Sequence, residues 1–253
     1  MAKITRIIVL GASNLTRGFH SVVSTSRAAW GPEVQVLAAL GHGRSYGVSR
    51  TVGICTLPGI LESGLWQALE SLPVVPTQAI VSDVGNDIMY GYSAERILSW
   101  IEEALRRLQR VKAEITLTDL PLASIRQISQ TKYLLFRSIL FPFCRLSLAQ
   151  VLETAERINA GLAELSLKHR AEFFRLNPSW YGVDPIHIRP SFWRSAWQQI
   201  LNAGSLSSDA KGSLFEGLRL YFMANERRRL LGIEQFTPQS GLMLPAGGRV
   251  WLY

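Results

Sequence analysis

The sequence predicts a three-layer α/β fold: helices on both faces of a five-stranded parallel sheet of flavodoxin-like order, followed by a helical extension at the C-terminal end. Two observations carry this. Short apolar or β-branched runs recur up to residue 176 without the strict alternation of half-exposed strands, which suits strands covered on both faces. The longer segments between them carry apolar residues at helical spacing, the pattern of βα units. A chain of 253 residues, 47% hydrophobic and 18% charged, is long enough for one such domain over 1–205, with 206–253 packing on it as an extension.

The strands are read in order. "ITRIIVL" (4–10) is the first and runs into "GASN", a glycine turn that opens a helix. "EVQVLAAL" (33–40), "TQAIVSD" (77–83), "AEITLTD" (113–119) and "AEFFRL" (171–176) are the others. Between the third and fourth, Ile97, Ile101, Leu105, Leu108 and Val111 form one stripe, with Glu102, Glu103, Arg106, Arg107 and Arg110 mostly opposite. Val151, Ala155, Ile158, Leu162 and Leu165 repeat the signal before the fifth strand. Both stripes predict crossover helices with no chemistry of their own.

Two segments exceed this plan. Residues 123–147 are longer than a strand-to-helix loop needs, and an insert at a strand's carboxyl end suits a lid. Packing against the core is the expected arrangement, and lying on lipid is the alternative. After residue 205, "LSSDAKGS" reads as a linker into an amphipathic helix, "LFEGLRLYFMANERRRLLG", and a tail rich in Gly and Pro.

Basic residues outnumber acidic ones by 27 to 19, a net charge of +8. Glu33 is the single acid among residues 1–61, and Leu120 to Leu152 holds none. Such a balance raises anionic partners, a membrane surface or nucleic acid, as alternatives to catalysis, although no nucleic-acid module is recognisable. No apolar run reaches the length of a membrane span, and "IIVL" is too short for a secretory segment, so a soluble, cytoplasmic protein is expected. Cys55 and Cys144 lack metal or redox spacing and read as reduced core thiols.

Every sharp motif follows the carboxyl end of a strand, where doubly wound sheets bind ligands. Ser13 follows the first, "GHGRSYG" the second, "DVGNDIMYG" the third and "YGVDPIHIRPSFW" the fifth. Ester hydrolysis needs a hydroxyl nucleophile, a base, an anion to orient the base and donors for the oxyanion. Asp184 and His187 lie three residues apart on one loop, close enough for the carboxylate to hold one imidazole nitrogen while the other faces Ser13. The Ser13 N–H, a glycine N–H in "GHGRS" and the Asn86 amide are candidate oxyanion donors.

These four blocks resemble the SGNH, or GDSL-type, hydrolase superfamily over roughly residues 4–200. Ser13 in "GASN" matches the family serine, Asn86 in "GND" its asparagine, and Asp184 and His187 its D-x-x-H; Gly43 rather than Gly41 is taken for its glycine. Ala12 stands where the first block has aspartate, and Val84 where the third often has glycine, which marks a divergent branch. The resemblance implies hydrolysis of a carboxylic ester, or transfer of its acyl group, through acyl-Ser13. The substrate would be a small-molecule, lipid or carbohydrate ester, and no cofactor or metal is implied.

Arg17, Arg44 and Arg189 each lie within four residues of a candidate catalytic position, which suits either a cationic rim that prefers anionic esters or arginines paired with nearby carboxylates. The rival nucleophile is Ser45 in "GRSYG", which fits G-x-S-x-G but follows too few strands for an α/β-hydrolase elbow.

Overall fold

The computed structural model describes residues 4–204, 213–245 and 247–253. In chain order the elements are β1 Arg6–Leu10, α1 Ser13–Trp30, β2 Gln35–Ala39, β3 Arg50–Val52, β4 Cys55–Leu57, α2 Leu65–Ser71, β5 Thr77–Val81 and α3 Asn86–Met89. There follow α4 Ala94–Arg110, β6 Glu114–Thr118, α5 Leu122–Ile125, α6 Gln130–Leu140, α7 Leu148–His169, β7 Glu172–Phe174 and α8 Trp193–Ile200. The last part holds α9 Leu214–Tyr221, β8 Arg227–Leu230, β9 Ile233–Phe236, β10 Leu242–Met243 and β11 Arg249–Leu252.

The five expected strands pair in parallel in the order β2-β1-β5-β6-β7, the flavodoxin-like order. Successive side chains of a strand point to opposite faces, and both faces here are covered. Ile8 and Leu10 of β1 enter a core closed by α2, α4 and α7, whereas Ile7 and Val9 enter one closed by α1 and α8. All four are fully buried, which explains a continuous apolar run; each contributes roughly 1.5–3 kcal/mol by leaving water. The two helical stripes are crossovers as expected, with Ile97, Ile101, Leu105 and Leu108 of α4 and Val151, Ala155, Ile158 and Leu162 of α7 buried. Ser93 caps α4 by accepting from Arg96 N, and Ser147 and Gln150 form a capping box on α7.

The main sheet has seven strands, not five. β11 adds in parallel outside β2, and β10 pairs antiparallel with β11. A second, four-stranded antiparallel sheet, β3-β4-β8-β9, joins the segment after β2 to residues about 170 positions later. The helix expected over 214–232 stops at Tyr221, and the described residues after it form four short strands rather than more helix. The Glu226 N–H donates to Leu252 O and the Asn225 amide to Leu40 O and Tyr253 O, while the edge of β4 captures β8. Tertiary partners thus override the helical pattern of "RRRLL". Ser213 caps α9, and the remainder of the expected linker lies outside the described residues.

Both cysteines are free, Cys144 buried and Cys55 partly so. Among the described residues no helix is long and apolar enough to cross a membrane.

Candidate active site

β1 delivers the chain to the carboxyl edge of the sheet, where Gly11 allows a close approach. A Cβ there would lie 2.9 Å from Ser82 O on the neighbouring strand's end and 2.5 Å from Leu15 Cδ1. Ser13 then opens α1. Across the turn stands Asp83, with a left-handed backbone (φ 59°) and a carboxylate aimed at the helix start. Its Oδ2 accepts from the N–H groups of Ala12 (3.0 Å), Asn14 (2.9 Å) and Leu15 (3.2 Å). A carboxylate suits the positive end of a helix, and it occupies the N–H groups on either side of Ser13. The Ser13 N–H itself has no hydrogen-bond partner among the described residues.

The loop after β7 brings the other groups. His187 Nε2 lies 2.9 Å from Ser13 Oγ, and His187 Nδ1 lies 2.6 Å from Asp184 Oδ2. Asp184 Oδ1 accepts from the N–H groups of Ile186 and His187, each at 3.2 Å, so the carboxylate folds back on its own loop. Burial opposes the Asp184 charge, but the His187 hydrogen bond and charge and these two N–H groups outweigh it, and its pKa falls below the usual aspartate value. Residues 174 positions apart in sequence therefore form one chain of hydrogen bonds.

Asn14 ties the two halves together. Its Nδ2 donates to Asp83 Oδ1 (2.8 Å) and Ile186 O (2.9 Å), and its Oδ1 accepts from Ile188 N (2.8 Å). The sequence reading gave neither Asn14 nor Asp83 a role. An acid closing the third apolar run, and a buried-capable amide beside the serine, were the only signals.

A cavity of about 120 Å³ opens from Ser13 and Asn86, the latter at the start of α3. Its walls are mainly apolar, among them Met89, Leu120, Ile128, Phe136 and Val151. One face of α6 bounds it, so the 123–147 insert covers the cavity while packing only in part, with Tyr133 the buried residue of that helix. Asp119 and Tyr181 line it as well. Burial raises the Asp119 pKa to about 6 although Asp119 accepts from Leu176 N, and the buried Tyr181 hydroxyl has no partner among the described residues.

Gly43 adopts a left-handed φ of 62°, and its carbonyl accepts from Tyr90 Oη at 2.6 Å; neither Gly43 nor Gly41 lines the cavity. His42 lies near enough for the charges of Arg17 and His187, after burial, to lower its pKa.

The three arginines expected at the rim part company. Arg17 is half-exposed, 3.8 Å from Asp184 Oδ2. Arg189 is exposed, donating to Ser179 O and stacked over Phe192. Arg44, contrary to expectation, is buried: its guanidinium donates to the carbonyls of Leu40, Pro58 and Tyr253, and burial lowers its pKa to about 9. Three inward carbonyls offset part of the cost of burying that charge. Ser45 is also fully buried, its Oγ accepting from the N–H groups of Gly47 and Val48, which leaves it a turn-former.

The backbone matches solved structures. An aryl esterase of M. smegmatis, solved in an inhibitor-bound form, superposes with a TM-score of 0.51 at 11% identity, over 78% of this chain and 97% of that one. The chain shares the fold of that esterase. A GDSL-like lipase from Bacteroides thetaiotaomicron is similar at a TM-score of 0.49 and 10% identity, over 79% of this chain and 89% of that one. At such identities the likeness speaks for the fold alone. No family model matches the chain, and no curated protein matches it.

Proposed function

We propose that the protein is a serine ester hydrolase of SGNH type, acting on carboxylic esters through an acyl-Ser13 intermediate. The observation that supports this best is the Asp184–His187–Ser13 chain of hydrogen bonds, at 2.6 and 2.9 Å, opening on an apolar cavity.

Ser13 Oγ attacks the ester carbonyl carbon while its proton passes to His187 Nε2. Asp184 accepts from Nδ1–H, fixes that tautomer and stabilises the imidazolium. The carbonyl oxygen becomes an oxyanion, held by the Ser13 N–H, the Asn86 amide and the Gly43 N–H. Collapse breaks the C–O bond, and the departing alcohol takes the proton from His187. Water, or another alcohol in a transfer reaction, then gives its proton to His187 and attacks the acyl carbon, and Ser13 Oγ leaves with that proton. The free Ser13 N–H supports its oxyanion role, since Asp83 claims its neighbours. The reaction uses no cofactor.

The cavity walls suit an acyl chain. Of the three arginines, Arg17 stands beside the Asp184–His187 pair with its side chain half in water, whereas Arg44 is buried and out of a substrate's reach.

A panel of p-nitrophenyl esters of increasing acyl length, run on the wild type and on Ser13→Ala, tests the reading. Hydrolysis by the wild type and its loss in the variant are expected. Equal rates for the two proteins would defeat it.

A further inference from the structure

Helix α6 is apolar on two faces and uses one. Tyr133, Phe136, Arg137 and Leu140, at i, i+3, i+4 and i+7, face the cavity. On the other side Leu135 and Ile139, one turn apart, are 59% and 67% exposed, and Phe143 just beyond the helix is 95% exposed. A helix apolar all round is ordinarily covered all round. Here none of the described residues covers the outer face.

The surrounding charge is one-sided. Arg126, Lys132, Arg137 and Arg145 lie in the acid-free stretch Leu120–Leu152. Arg126 pairs with Glu156, and Arg137 donates to Leu146 O and lies over the Tyr133 ring. Lys132 and Arg145 are exposed and have no carboxylate partner among the described residues. Apolar side chains edged by unneutralised cations complement a surface that is oily within and negative at its boundary. A second copy docked on this face would set the same cations against each other.

We propose that the outer face of α6 docks on an anionic lipid bilayer, with Leu135, Ile139 and Phe143 entering the acyl boundary and Lys132 and Arg145 meeting lipid phosphates. The same helix roofs the cavity, and Phe141 at its end packs edge-on to Tyr90, whose hydroxyl holds Gly43 O. Docking therefore brings the cavity to the lipid. On the ester-hydrolase reading, on which this last step rests, the substrate class is an acyl ester resident in the membrane.

Vesicle flotation tests the docking, with phosphatidylglycerol–phosphatidylcholine vesicles against pure phosphatidylcholine, at low and high salt. Wild type and Ser13→Ala float with the anionic vesicles at low salt and are released at high salt. Leu135→Glu/Ile139→Glu, or the milder serine pair if the first misfolds, lowers vesicle binding by about tenfold or more yet hydrolyses a short soluble ester at the wild-type rate; Lys132→Glu/Arg145→Glu lowers it by about tenfold as well. Three results overturn the proposal: no flotation of the wild type, equal flotation of correctly folded variants, or dimerisation lost in the variants with no vesicle binding. A protein that floats but hydrolyses no soluble ester supports the docking and defeats only the ester-hydrolase reading.

Discussion

The Asn14 amide donates to Asp83 Oδ1 at 2.8 Å while holding Ile186 O and Ile188 N on either side of His187. The serine's helix and the histidine's loop are thereby referenced to one carboxylate. Asn14→Ala removes both donors and leaves the buried Ile188 N–H and the Ile186 carbonyl unpaired. Loss of about 1–3 kcal/mol of stability is expected. A fall in kcat of about 100-fold with KM nearly constant is expected alongside it, since misplacement near 1 Å is enough. Denaturant melts and steady-state kinetics on a soluble ester check both, and unchanged kcat would show that the loop holds its place without Asn14.

The Asn86 side chain makes no hydrogen bond among the described residues, so its truncation isolates chemistry from folding. Asn86→Ala lowers kcat by about 100- to 1,000-fold, the usual cost of one oxyanion donor, with little change in melting temperature. Wild-type turnover in that variant would remove Asn86 from the oxyanion site.

Ser13 and Ser45 separate the two candidate nucleophiles. Ser13→Ala abolishes turnover and leaves the fold intact. Ser45→Ala strands the N–H groups of Gly47 and Val48, costs about 1–3 kcal/mol and keeps turnover in the folded fraction. The opposite outcome, activity lost only with Ser45, would reverse the assignment.

Asp119 carries a pH signature. Its folded pKa, near 6, exceeds the ordinary 3.8 because burial disfavours the charge. Between about pH 4 and 6 the native state thus binds more protons than the unfolded chain, and this group's contribution to stability declines as pH rises through that window. Asp119→Asn, which still accepts from Leu176 N, escapes the decline. Its melting temperature relative to wild type should be higher at pH 7 than at pH 4.5. A pH-independent difference would argue against a strained carboxylate in the cavity wall.

The five parallel strands were legible because burial on both faces leaves unbroken apolar runs, and Ser13, Asp184 and His187 because each follows such a run. The small sheet was not. Its strands are two to four pairs long, lie mostly in solvent and pair Cys55–Leu57 with residues some 170 positions on, so neither period nor local turn marks them. Arg44 was misplaced for a related reason. Proximity in sequence to Gly43 says nothing about side-chain direction, and the carbonyls that draw Arg44 inward come from three separate segments. Asp83 accepts from the N–H groups around Ser13, and only the fold brings the two segments together.

Seating β11 beside β2 has a consequence for how the polypeptide is made. Until residues 249–252 emerge from the ribosome, Gln35–Ala39 keeps a bare flank of amide and carbonyl groups next to newly collapsed apolar surface, a template for pairing between nascent chains. Heterologous production of versions cut short of Arg249 should therefore give a larger share of inclusion bodies than the 253-residue chain.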